Sequence, residues 1–198
     1  MNLYKEGPMH ARLAAALILA AAAPLAAQAP PPAQQIAAAV LALPPSLRAD
    51  ATVMGYAADG KLIVLREGKG QMICLANDPK GEEFHIACYH NSMEPFMARG
   101  RALRASGVTG DQVDTVRFRE VRDGKLLMPR SPAILYQLFG GTYDPVKKEV
   151  AGAKALYVVY IPFATTASTG LSDKPSGTLP WLMFPGTPKA HIMFTPAM

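Results

Sequence analysis

"ATVMGYAADGKLIVLREGKGQMICLANDPKGEEFHIACYH", Ala51–His90, decides the fold. It holds four short β-rich runs separated by turn residues. Asp59-Gly60 lies between the first two, a pair that favours a hairpin turn with positive φ. Glu67–Gly70, "EGKG", and Asp78–Gly81, "DPKG", separate the others. Consecutive strands joined by tight turns predict an antiparallel meander.

Downstream the period changes. Ser92 is placed to cap a helix. On that helix Met93, Phe96, Met97 and Leu103 share one face, and Gly107 stops it. Thr109 and Gln112 match a capping box for a second helix running to about Asp123, ahead of Gly124. "TVRFREVRDGKLLM" also fits a hairpin turning at Asp123-Gly124, but the cap and the charge content favour the helix. Strands return at "AILYQLF", "ALYVVYIPF" and "AHIMFT". The expected fold class is α+β: an antiparallel β-sheet with a helical pair inserted between its early and late strands. A short N-terminal helix precedes it at Gln34–Leu43, ended by Pro44 and Pro45.

Working outward, the N-terminus reads as a secretory signal over residues 1–27. Lys5, His10 and Arg12 make a weakly basic start, Leu13–Ala23 is an unbroken apolar run, and Pro24 breaks it before small residues. Cleavage is expected after Ala27. The uncharged stretch Leu13–Ala27 is shorter than the ~20 residues a bilayer span needs, so no membrane span is expected in the mature chain. Residues 28–45 form a Pro/Ala-rich linker with the short helix, and residues 46–198 a single α+β domain. The 198 residues, 50% of them hydrophobic, suffice for one domain with its own core. The chain carries a formal charge of +5, and removing the leader leaves +4, spread thinly. That argues against a nucleic-acid partner, which calls for basic residues gathered on one face. The mature chain is expected to be periplasmic or secreted.

Compartment bears on chemistry through the only two cysteines, Cys74 and Cys88. They lie in the third and fourth runs, opposite or nearly opposite one another. Two thiols in adjacent strands of an exported chain most simply form a disulfide. The competing reading makes Cys88 a nucleophile assisted by His85 or His90, shortly before a helix N-terminus that would lower its pKa. Alternation puts His85 on the opposite face from Cys88, and a free thiol outside the cytoplasm is open to oxidation. A third reading is a metal or haem carrier using His85, His90 and His191, although no pair has a recognised ligand spacing. No motif names a cofactor.

Two further features point to binding. His90, Asn91 and Ser92 precede a helix whose first backbone N–H groups are available to a carboxylate or phosphate, unless Asn91 or Ser92 caps them. Pro162–Lys189 is a long connection rich in Ser, Thr, Gly and Pro, and such loops often bind or cover a ligand. Within it Trp181 heads an apolar run, Trp181–Phe184, that should dock on the sheet. On the second helix Asp111, Asp114, Glu120 and Asp123 alternate with Arg117, Arg119 and Arg122, which reads as a solvated, internally paired face. Arg99, Arg101 and Arg104 read likewise. A stripe of arginines collecting an acidic ligand is the other reading of the same residues.

Trp181–Met183, Pro185-Gly186, Ala190–Met193 and Ala87–His90 resemble the corresponding motifs of small exported bacterial proteins known only as hypothetical proteins. The resemblance spans most of the mature chain, implies export, and gives no residue a role. The function expected from the sequence is a non-catalytic envelope or secreted module. It would bind a small molecule or an envelope protein through His90, Asn91, Ser92, Trp181 and His191. A thiol-dependent or hydrolytic enzyme and a metal or haem carrier are the alternatives.

Overall fold

A computed structural model of the protein describes residues 29–196. The leader and its cleavage site after Ala27 lie outside the described residues. The chain opens with α1 (Pro32–Ala39), a 3-10 turn (Val40–Ala42) and α2 (Pro45–Arg48). It continues through β1 (Thr52–Tyr56), β2 (Leu62–Arg66), β3 (Met72–Leu75) and β4 (His85–His90). A 3-10 turn (Asn91–Met93) leads into α3 (Glu94–Ala105) and α4 (Gln112–Arg122). Then come β5 (Ala133–Phe139), β6 (Thr142–Asp144), β7 (Glu149–Ala151), β8 (Lys154–Tyr160), α5 (Thr166–Thr169), β9 (Trp181–Met183) and β10 (His191–Phe194). The fold is α+β, with the helical pair inserted where the sequence places it.

Eight strands form one sheet in the order β2-β1-β3-β4-β5-β8-β10-β9, and β6-β7 is a separate two-stranded hairpin. All pairs are antiparallel except one: β3 runs parallel to β1, pairing Val53 with Cys74. The meander is therefore interrupted. "EGKG" is not a tight turn but a crossing, which carries the chain from β2 past the start of β1 to its other side. Gly70 N–H donates to Asp50 O at 2.7 Å and Gly68 N–H to Thr52 Oγ1 at 3.1 Å. The crossing is glycine-rich because it touches backbone. A Cβ on Gly68 would sit 2.3 Å from Asp50 O and from Thr52 N.

The turn between β1 and β2 is made by Ala57–Lys61, with Gly60 at φ +80° as the Asp-Gly pair predicts. Asp59 Oδ1 accepts from Lys61 N at 3.0 Å. A bulge between Val53 and Met54 shifts the register of the two strands by one.

Both faces of the sheet are covered over its central strands. Cys74, Cys88, Tyr136 and Tyr157 stand in register and share one face; Leu75, Ala87, Gln137 and Leu156 share the other. On the first face, α1 and its 3-10 extension bury Ala39, Ala42 and Leu43 against Val53, Met72, Ile86 and the cysteines. The segment expected as a linker is thus part of the core. It starts earlier than expected, at Pro32, because proline is well tolerated in a first helical turn. Gln35, buried, joins helix to sheet: its Nε2 donates to Tyr56 O at 2.9 Å and to Pro30 O at 2.6 Å, and its Oε1 accepts from Tyr56 N at 2.7 Å.

On the second face, Met93, Phe96 and Leu103 of the α3 segment are buried, as their spacing predicts. Met93 and Phe96 pack over Tyr89, Leu135, Val158 and Tyr160. α4 is a helix, not a hairpin, but the expected capping box is not formed. Asp111 occupies the N-cap without a side-chain bond, and Thr115 Oγ1 donates to Asp111 O instead. Pro162–Lys189 folds back on the sheet edge through β9. Its anchor is Leu182, fully buried with Ala164 and Ala190, rather than the half-buried Trp181. Among the described residues no helix is long and apolar enough to cross a membrane.

Candidate functional site

Cys74 and Cys88 are directly opposite in the β3–β4 ladder and bonded to each other. Both are fully buried beneath α1, with Ala39 O 3.3 Å from Cys88 Sγ. Cys88 therefore has no thiolate to offer, and the nucleophile reading with His85 or His90 falls. His85 projects from the opposite face, where its Nε2 meets Gln137 Oε1 at 2.7 Å.

The strand-to-helix junction caps itself. His90 Nδ1 accepts from Ser92 N–H and lies 2.8 Å from Ser92 Oγ, while Asn91 N–H donates to Gln71 O at 2.7 Å. So the cap of the 3-10 turn is His90 and not Ser92, and α3 itself begins after Met93 with no side-chain cap. His191 does not join them. Tyr89, Leu135, Val158 and Met193 are in register, which puts His191 on the face of Tyr89 and His90 on the reverse. The two histidines are also three strands apart, about 14 Å. Trp181 lies on the edge strand β9, paired with Met193. The structure thus keeps His90, Asn91 and Ser92 together and leaves Trp181 and His191 apart from them. Among the described residues no three His, Cys, Asp or Glu side chains gather as a metal site.

What it does bring together is a set of cations. Between α3–α4 and the sheet lies a cleft of about 250 Å³, with Leu75, Ala87 and Leu135 on the sheet side and Phe96 and Met97 on the helix side. Arg101, Arg104, Arg117 and Lys189 also line it. Lys189 is the end of the long loop, so that loop does reach a cavity, though with its last residue and not with Trp181. A second cavity of about 370 Å³ shares Leu75, His85 and Ala87 with the first and is bounded by Asp78, Glu82 and Glu83.

Each cation but one is held from the protein side. Arg101 Nη2 donates to Glu94 Oε1 at 2.6 Å and its Nη1 to Tyr89 Oη at 2.9 Å; Tyr89 Oη donates to Glu94 Oε2 at 2.5 Å. Burial first, and the bond to Glu94 second, push the Tyr89 hydroxyl far above its ordinary range, so it stays neutral. Arg117, 4% exposed, pairs with Asp114, donates to Phe96 O at 3.1 Å and stacks 3.9 Å from the Phe96 ring. Lys189 Nζ donates to the other oxygen of Asp114 at 2.8 Å and lies 4.6 Å from the Phe184 ring. Burial alone would raise the Asp114 pKa; the bonds from Lys189 and Arg117 outweigh it and hold the carboxyl below its ordinary value. Arg104 is exposed and makes no ion pair among the described residues.

Beside the cleft, His191 Nδ1–H donates to Lys189 O at 2.7 Å, and its ring tilts against Tyr160 and Phe184 at 5.0 and 5.8 Å. Burial pushes its pKa down, so the ring is neutral at pH 7. It positions the Lys189 backbone and leaves no ring face for a ligand. Tyr160, pushed up to about 12 by burial, is neutral as well.

Sequence reasoning placed Arg99, Arg101, Arg104 and Arg117 on solvated faces. That holds for Arg99, which grips Glu120 at 2.6–3.1 Å, but not for Arg117. The missed signal is positional. Val113, Arg117 and Val121 recur every fourth residue, so Arg117 occupies the apolar stripe of α4. Comparison of the chain with family models, curated proteins and solved structures found no match.

Proposed function

We propose that this chain is a non-catalytic, exported binding module that holds a small molecule between its helical pair and its sheet. The observation that carries the reading is the cleft itself. It has apolar walls from both layers and several convergent polar groups, the composition typical of small-ligand sites. Its walls are preorganised: Arg101 and Arg117 are fixed by side-chain and carbonyl bonds before any ligand arrives. Export is supported by the apolar leader and by a buried cross-link of the kind that persists in oxidising compartments.

The test is a thermal-shift screen of small fragments against the wild-type chain and Ala87→Phe, whose added ring occupies the cleft. Compounds that raise Tm in proportion to dose in the wild type, and not in the variant, are the expected result. Hits that stabilise both proteins equally would move the site elsewhere and overturn the reading.

A further inference from the structure

Resting on that reading of the cleft, we infer that its ligand is an anion with a short apolar body, its carboxylate or phosphate seated between Arg104 and Arg117. Four cations line the cleft, and the two carboxylates that pair with them, Glu94 and Asp114, stand outside its lining. Among the described residues two positive charges are left uncompensated, and no acidic residue is among the lining groups. Clustered like charges at close quarters repel one another, which an anion would relieve.

The geometry narrows the seat. Arg117 Nη1 and Arg104 Nη1 lie 2.8 and 3.4 Å from the position a Cβ on Gly100 would take. Two guanidinium groups thus converge over the bare Cα of residue 100, an approach that exists because that residue is glycine, in the middle of a helix where glycine carries a cost. Independently, Arg117 Nε is a buried donor with no partner among the described residues. An unpaired buried donor costs free energy, and structures rarely leave one without reason. An oxyanion supplies acceptors to both forks, the geometry for which arginine is suited.

The rest of the cleft sets the body of the ligand. At ~30 Å³ for a group of water's size, about eight such groups fill the volume. Leu75, Ala87, Met97 and Leu135 make an apolar wall for them. A carboxylate with a chain of about five carbons matches that size and polarity. Inorganic phosphate matches only the head.

The experiment is isothermal titration of the full chain with hexanoate, hexan-1-ol and inorganic phosphate, repeated with Arg104→Gln and Gly100→Ala. Arg104 is exposed and unpaired, so its replacement leaves the fold intact. Hexanoate should bind saturably and hexan-1-ol at least about tenfold more weakly, the worth of a charge-assisted hydrogen bond. Arg104→Gln should weaken hexanoate about tenfold without lowering Tm, and leave hexan-1-ol unaffected. Gly100→Ala, whose methyl group would press the Arg117 guanidinium out of its place, should weaken hexanoate too. Phosphate that binds as well as hexanoate, lost equally in Arg104→Gln, keeps the anion seat and removes the apolar body. If hexan-1-ol binds as tightly as hexanoate, or Arg104→Gln changes neither, the cleft binds small molecules but not through an anion, and the inference fails while the proposed function stands. If none of the three binds and the fragment screen is also silent, both fail.

Discussion

His191 shows how one side chain fixes a loop. Its neutral ring donates Nδ1–H to Lys189 O and is packed between Tyr160 and Phe184. Its folded pKa lies below the ordinary value near 6.5, so the unfolded chain takes up the proton first. The contribution to stability is complete above about pH 6.5 and is lost as pH falls from there through the folded value. Urea midpoints measured between pH 7.5 and 5 should therefore fall in the wild type. In His191→Phe, which keeps the ring packing and cannot titrate, this part of the slope should vanish. An identical slope in both would assign it to other groups. Little of this was legible from sequence. A histidine in a strand reveals which face it occupies only once the register of its neighbours is known. The same holds for Arg117: its place on the apolar stripe can be read off, whereas its stacking on Phe96 comes from the packing of one helix on another.

At the scale of elements, local signals were reliable where they concern a single segment. Asp59-Gly60 makes its turn, Met93–Phe96–Leu103 makes a buried helical face, and Gly107 at φ +89° ends the helix. They failed where a segment's partner is decided elsewhere. "EGKG" has the composition of a turn, yet the choice between pairing β3 with β2 and carrying it past β1 rests on long-range contacts. The choice leaves a local trace in the pair of glycines. Gly68→Ala would press a methyl group into the Asp50–Thr52 backbone, which cannot swing aside as a side chain would. Overpacking of this kind costs about 1–3 kcal/mol. Urea denaturation should show that loss, and the variant should populate the crossing poorly while Gly107→Ala, whose neighbourhood is open, shows only the smaller penalty of its positive φ. Equal losses at the two positions would remove close approach as the cause. The N-terminal capping chemistry was misread for a related reason. Thr109 and Gln112 have the right spacing, but Asp111 is the residue the chain path places at the cap.

Over the whole molecule, fold class and cross-link were both legible, because each rests on alternation. Four runs of period two must be strands, and the parity that sets Cys74 against Cys88 follows from the length of the turn between them. The site was not legible, since its walls come from β3, β4, β5, β8, both long helices and the end of the last loop. Of those only β3 and β4 are fixed relative to each other by a turn; the rest wait on the sheet order. The cross-link closes a loop with a sequence separation of 14, worth about 3 kcal/mol in the loop-entropy picture. Because both sulfurs are fully buried, reductant should act on the native protein only as fast as it opens. The Cys74→Ala/Cys88→Ala protein should unfold at lower urea by about that amount. An unchanged midpoint would mean that α1 alone holds the two strands together.

Gln35 carries a last consequence. Its amide makes three bonds to two stretches of backbone, Tyr56 in the sheet and the carbonyl of Pro30 at the very beginning of the described chain. The native state therefore depends on the chain being whole from Pro30 onward. A cut a few residues inside that point unties the helix from the sheet and uncovers the sulfurs beneath it.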